Sequence, residues 1–88
     1  MSYNGCVEWF SYSKSYGFIK LLDSEDSLFC HISNINSDGY KCLYPGEYVS
    51  LNIDIKDGKK SAIDIKGISG GKLLCQNEKY HIKFILNN

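Results

Sequence analysis

Short segments with the character of β-strands follow one another along most of this chain. They are rich in β-branched and aromatic residues and are separated by polar or glycine-containing breaks. No stretch combines a helical spacing of apolar residues with a plausible capping residue, so helices are not expected. Asp57-Gly58 favours a tight hairpin, because Gly accepts the positive φ that such a turn requires. We predict an all-β fold, a small closed barrel of five strands that cover residues 5–10, 16–22, 27–32, 47–55 and 61–68.

The fourth of these segments alternates most clearly between apolar and polar residues. Val49, Leu51, Ile53 and Ile55 fall on one side of an extended chain, and polar side chains fall on the other. We expect these four residues to line the interior of the barrel.

The C-terminal segment alternates in the same way. We predict one barrel domain over residues 1–70 and an added strand or hairpin over residues 71–88. This extension either covers an open edge of the barrel or forms an interface with a second copy or another protein. Its alternating apolar residues would carry that interface: Tyr80, Ile82, Phe84 and Leu86.

Size and charge narrow the function classes. A chain of 88 residues forms a single domain around one core. Its net charge of zero argues against the strongly basic surface that is the commonest sign of a nucleic-acid binder. No apolar run reaches the roughly 20 residues that cross a bilayer, and the first residues are not a basic secretory signal. We expect a cytoplasmic protein with no membrane partner.

The chain shows no arrangement of residues that is typical of a catalytic, metal or cofactor site. Paired carboxylates, a Ser/His/Asp set and a phosphate-cradling glycine loop are all missing, so we expect no enzyme and no cofactor. The cysteines lack the paired C-x-x-C spacing of structural zinc sites. We favour free thiols over a metal site or disulfides for Cys6, Cys30, Cys42 and Cys75.

Aromatic residues of the second and third segments are the most informative functional feature. Tyr16 and Phe18 lie two residues apart, as do Phe29 and His31, so each pair projects from one face of its strand. If the two strands are neighbours, the four side chains form one platform, and Trp9 would extend it. Exposed rings of this kind stack on unpaired bases, and nearby Lys14 and Lys20 would meet phosphates. The alternative is that the same aromatic residues fill the core.

Several stretches resemble the motifs of the cold-shock domain family. Residues 14–19 (KSYGFI) resemble its first ribonucleoprotein motif, K-G-[FY]-G-F-I, and residues 28–33 (LFCHIS) resemble the second, V-F-V-H-F-S. Residues 7–10 (VEWF) are similar to the family's V-K-W-F, and residues 38–43 (DGYKCL) are similar to its G-[FY]-K-x-L stretch. The resemblance runs in order from Gly5 to Ile68, about three quarters of the chain.

This resemblance implies a five-stranded OB-fold barrel that binds single-stranded RNA or DNA with low sequence specificity. It further implies an RNA chaperone or a regulator of transcription or translation. The residues that match the family's nucleic-acid-binding positions are the stacking residues Trp9, Tyr16, Phe18, Phe29, His31 and Tyr40, and the lysines Lys14 and Lys41.

The chain also departs from the family pattern. Glu8 stands where the family has Lys, Ile32 replaces a Phe, Ser15 replaces a Gly, and the G-x-P-x-A segment before the last strand is absent. The first two changes, together with the C-terminal extension, motivate a second hypothesis. In it, the same barrel is a protein-interaction module, for example a phage-type modulator of host transcription machinery, with weakened nucleic-acid binding.

Overall fold

The part of the chain that the structure describes forms five β-strands, as the sequence predicts. The computed structural model describes residues 2–37, 41–68, 71 and 73. A short 3₁₀ turn, Ile32–Asn34, follows the third strand. The strands are β1 (Tyr3–Ser11), β2 (Tyr16–Leu21), β3 (Ser27–His31), β4 (Tyr48–Lys56) and β5 (Lys59–Gly67).

The strands close into a barrel in the order β1-β2-β3-β5-β4. All neighbours are antiparallel except β3 and β5, which run parallel, and β4 closes the barrel against β1. The predicted all-β barrel is therefore confirmed. β5 pairs with β3 on one side and with β4 on the other. The β4–β5 hairpin therefore lies next to the surface formed by β2 and β3.

Apolar residues that point inward from all five strands form one core. Val7, Ile19 and Cys30 are at most 2% exposed, as are the predicted interior residues Val49 and Leu51. Removing such side chains from water is the dominant favourable term in folding.

The predicted burial along β4 fails near its end. Ile53 is only partly buried against the core, and Ile55 is 61% exposed, so the prediction that Ile55 lines the interior is wrong. The irregularity between Ser50 and Asn52 does not cause this, because one residue of β4 there faces two of β5 and β4 keeps its alternation. Ile55 pairs with Lys60 in the hairpin.

The described part of the C-terminal segment adds to the same core. Leu73 is 1% exposed among the core residues, and the Gly67 N–H donates to the Gly71 carbonyl at 3.0 Å. Residue 73 thus packs with the barrel. The rest of the predicted extension, including Tyr80, Ile82, Phe84 and Leu86, lies outside the described residues, so its boundary and role stay predictions.

The buried thiol of Cys30 makes the free energy of unfolding depend on pH in the alkaline range. Burial raises the pKa of Cys30 from 9.0 to about 11. Above pH 9 the unfolded chain loses the thiol proton of Cys30 while the folded chain keeps it. The contribution of the buried thiol to the free energy of unfolding is therefore complete below pH 9 and is lost as the pH rises towards 11. Two pKa units correspond to about 2–3 kcal/mol. We expect the stability advantage of the wild type over Cys30→Ala in urea unfolding to shrink across this window, and a constant difference would contradict the assignment.

Candidate nucleic-acid interface

The pairing of β2 with β3 brings the predicted aromatic residues onto one surface. In the register of these strands Tyr16 lies opposite His31, and Phe18 lies opposite Phe29. The inward sides of the same strands carry buried residues, so the four side chains point away from the core. The expectation that the two strands are neighbours is confirmed, and the alternative that these rings fill the core is not what the structure shows.

Trp9 joins this surface because β1 carries an irregularity at Glu8. The register with β2 shifts between Val7 and Trp9. Val7 is buried and Trp9 is 40% exposed, although their spacing by two would place both on the same side of a regular strand. After the shift, Trp9 pairs with Phe18, and Phe10 packs against the core.

The four rings support one another in a cluster that we call the aromatic face: Trp9, Tyr16, Phe18 and Phe29. Phe18 lies at its centre, with ring centroids 5.7 Å from Trp9, 6.3 Å from Tyr16 and 6.0 Å from Phe29. Tyr16 and Phe29 are stacked at 5.4 Å with an interplanar angle of 28°. Phe29 is 40% exposed, so part of the cluster presents flat apolar area to solvent.

His31 extends the aromatic face at the start of the 3₁₀ turn. Its Nδ1 accepts a hydrogen bond from the Ser33 backbone N–H at 3.1 Å. An accepting Nδ1 places the proton of the neutral ring on Nε2. The cap therefore fixes the orientation of an exposed imidazole beside Tyr16. Ile32, where the family pattern has a Phe, packs against the core instead.

The turn before β2 places Lys14 at the surface and holds Ser15 in a left-handed conformation. Ser15 has φ 67°, and its N–H donates to the Ser11 carbonyl at 2.8 Å. A side chain in this conformation costs about 1–2 kcal/mol, which explains why a Gly suits the position that Ser15 occupies.

Lys41, another predicted site residue, lies outside the aromatic face. Lys41 is half-buried and lines a polar groove of about 300 Å³ with Ser33, Ser37 and Asp64. None of the four rings lines that groove. Tyr40 lies outside the described residues, so its predicted role stays a prediction.

Two carboxylates, those of Glu8 in β1 and Glu25 in the β2–β3 turn, lie near Lys20 of β2. The Ser27 hydroxyl donates to Oε1 of Glu8, which ties this carboxylate to β3. Lys20 of β2, the strand between β1 and β3, pairs with Glu25 at 3.0 Å. The hydrogen bond and charge of Glu25 raise the pKa of Lys20, and the charge of Glu8 adds to the effect. Lys20, expected to meet phosphates, is thus engaged by acidic neighbours.

A basic groove that sequence reasoning missed adjoins the aromatic face at Ser27, the residue that donates to Glu8. It measures about 520 Å³, and Phe18 and Phe29 form part of its wall. Lysines of the β4–β5 hairpin line it as well: Lys56, Lys59 and Lys60. The only signal in the sequence is the Lys59-Lys60 pair after a turn, which is more often a solvated turn than a contact.

The family model of the 'Cold-shock' DNA-binding domain matches residues 3–68, which contain all five strands and the aromatic face. The chain belongs to the cold-shock domain family. The resemblance of residues 14–19 and 28–33 to the family's motifs is confirmed by this match.

Cold-shock proteins of several organisms are similar to the chain. A cold shock-like protein, CspB, of Bacillus cereus is 49% identical over 57 residues, covering 65% of this chain and 83% of that protein. A cold shock-like protein of Aquifex aeolicus is 39% identical over 59 residues, covering 67% of this chain and 83% of that protein. Glycine-rich protein 2 of Nicotiana sylvestris is 40% identical over 75% of this chain, which spans only 31% of that longer protein.

A solved structure confirms the fold independently. The Drosophila Unr structure, CSD456, matches 77% of this chain with a TM-score of 0.65 at 18% identity, and the chain spans 27% of it. The barrel is therefore an OB-fold of the cold-shock type.

The described residues offer no competing metal site, since no group of three His, Cys, Asp or Glu side chains clusters among them. In the same ranges, no helix has the length and apolar character that would let it cross a membrane.

Proposed function

We propose that this protein binds single-stranded RNA or DNA by stacking unpaired bases on the aromatic face and His31. The observation that carries the proposal is a row of directly opposed residues across neighbouring strands. Trp9 pairs with Phe18, Phe18 pairs with Phe29, and Tyr16 pairs with His31 beside them. The family membership supports the same function, since cold-shock domains are nucleic-acid-binding modules and not enzymes.

Stacking explains how a neutral protein would bind a polyanion. Each base that stacks on an aromatic side chain contributes about 1–3 kcal/mol, with little dependence on its identity. The rings already contact one another in the free protein, so little side-chain freedom is lost when bases bind. Micromolar binding corresponds to about 8 kcal/mol, so most of the stacking positions must be used together, and sequence preference is weak.

The cellular role follows from holding strands unpaired. A protein that stacks on exposed bases favours the open form of RNA, because paired bases are inaccessible to it. We propose a role as an RNA chaperone or as a regulator of transcription or translation, acting in the cytoplasm and without a cofactor.

A titration with a labelled oligo-dT or oligo-U, followed by Trp9 fluorescence at low salt, tests the proposal. Trp9 is the single tryptophan of the chain and is 40% exposed, so stacking on it quenches its emission. We expect saturable quenching in the micromolar range, with no response to a fully paired duplex of the same length. Absence of quenching at tens of micromolar protein would refute the proposal and favour the protein-interaction hypothesis.

A further inference from the structure

The carboxylate of Glu8 lies at the edge of the aromatic face. Glu8 reaches across β2 from β1, and its Oε1 accepts a hydrogen bond from the Ser27 hydroxyl of β3. Ser27 precedes Phe29 by two residues, so both project from the same side of β3, and both line a groove with Phe18. The carboxylate is therefore held beside two of the rings that are available for stacking.

This carboxylate keeps most of its capacity to accept hydrogen bonds. Its two oxygens can together accept about four. Among residues 2–37 and 41–68, the structure shows only the hydrogen bond from Ser27 and no ion pair of Glu8. Lys20, whose pKa the charge of Glu8 helps to raise, pairs with Glu25 instead. Glu8 is thus free to accept from a ligand.

A carboxylate in this place distinguishes between the groups of a nucleic acid. It only accepts hydrogen bonds, and its charge repels phosphates. Cytosine and adenine carry an exocyclic amino group where uracil and thymine carry a carbonyl oxygen, and guanine has an amino group on its other side. An amino group donates to the carboxylate, whereas a carbonyl oxygen in the same place is repelled by it.

We propose that Glu8, positioned by Ser27, makes one base position of the aromatic face selective for a base with an amino group, so that cytosine is preferred to uracil or thymine. This inference rests on the proposed function. The rings supply the affinity with little regard to the base, and Glu8 supplies a preference at one position. The replacement of the family's Lys by Glu8 thus exchanges a group that suits phosphates for one that reads a base edge.

Uracil and cytosine isolate this contact, because their rings have the same size and differ in the group that they offer. The measurement is the dissociation constant, from fluorescence anisotropy, of a labelled oligo-dU and of the same strand with single uracils replaced in turn by cytosine. We expect the wild type to bind the strand with the best-placed cytosine about three- to tenfold more tightly, as for one hydrogen bond. Glu8→Gln, whose amide both donates and accepts, should bring this ratio close to one. Ser27→Ala keeps the charge but releases the carboxylate, so it should lower the ratio as well.

Glu25→Gln is the matched control, because it removes an equal charge beside Lys20 from a side chain that is 93% exposed. It should change the affinity for both strands by the same factor and leave their ratio as in the wild type. Thermal unfolding of each variant verifies the fold.

Three results would overturn the selectivity. A ratio of one in the wild type, or the wild-type ratio retained in Glu8→Gln, refutes it while the stacking function stands. RNA versions of the strands test the 2′-hydroxyl, which is also a donor. A loss of affinity in Glu8→Gln that depends on the ribose and not on the base assigns Glu8 to the sugar. If the wild type binds none of the strands, the proposed function itself is refuted.

Discussion

Replacing Phe18 with Ala should weaken binding of single-stranded oligonucleotides by about 5- to 150-fold, the equivalent of 1–3 kcal/mol for one stacked base. Phe18 lies at the centre of the aromatic face and contacts the rings of Trp9, Tyr16 and Phe29. Its removal takes away one stacking surface and the support of three others. The measurement is the dissociation constant for oligo-dT from Trp9 quenching or from fluorescence anisotropy of a labelled strand.

Two further variants separate stacking from stability. Phe29→Ala removes a ring that is 40% exposed, so it should weaken binding with less effect on folding than Phe18→Ala. Tyr48→Ala is the matched control, because Tyr48 is 58% exposed and pairs with Cys6 at the β1–β4 junction, away from the cluster. An equal loss of affinity in Tyr48→Ala and Phe29→Ala would contradict the assignment of the aromatic face.

Gly17→Ala is expected to have the largest effect on stability. A Cβ atom at Gly17 would overlap the carbonyl oxygen of Trp9 and lie 2.8 Å from the Cα of Phe10. Both obstacles belong to the backbone of β1, so no side-chain rotation relieves the overlap. Overpacking of this kind costs about 1–3 kcal/mol, which lowers the melting temperature of a small domain by about 4–20 °C. Because β1 must move at Trp9, oligonucleotide affinity should fall as well.

Gly58→Asn is the control, because it replaces a glycine at a position where a side chain has room. Gly58 has φ 77° in the hairpin, and a Cβ atom added there would have no atom within 4 Å apart from those of its chain neighbours. Asn accepts this conformation better than most other residues with side chains. The melting temperature of this variant should change by only a few degrees. A Gly17→Ala variant as stable as Gly58→Asn would show that β1 and β2 do not approach as closely as described.

Much of the aromatic face was predictable because its information is local. A spacing of two residues puts Tyr16 with Phe18, and Phe29 with His31, on one side of any extended strand. The short polar break between β2 and β3 then favours an antiparallel pair, which brings both sets together. The binding role of these residues, and of Lys14, Lys41 and Tyr40, stays a prediction.

The exposure of Trp9 could not be predicted from its near neighbours in the sequence. Its spacing from Val7 predicts a common side, yet Val7 is buried and Trp9 is exposed. The irregularity at Glu8 depends on how β1 pairs with β2, which involves residues about ten positions away. Ile55 is a second case, since it keeps its side of β4 but pairs with exposed Lys60 next to the hairpin turn, beyond the reach of the core.

The sequence by itself determined the strands, their turns and the sharing of one side by the aromatic residues, because alternation and turn preference act between near neighbours. Only the tertiary structure decided which charges surround the rings. The parallel pairing of β3 with β5 joins residues that are about thirty positions apart and brings Lys59 beside Phe29. Pairing of β1 with β2 and of β2 with β3 sets Glu8 beside Ser27. Such placements depend on barrel closure, which no local pattern encodes.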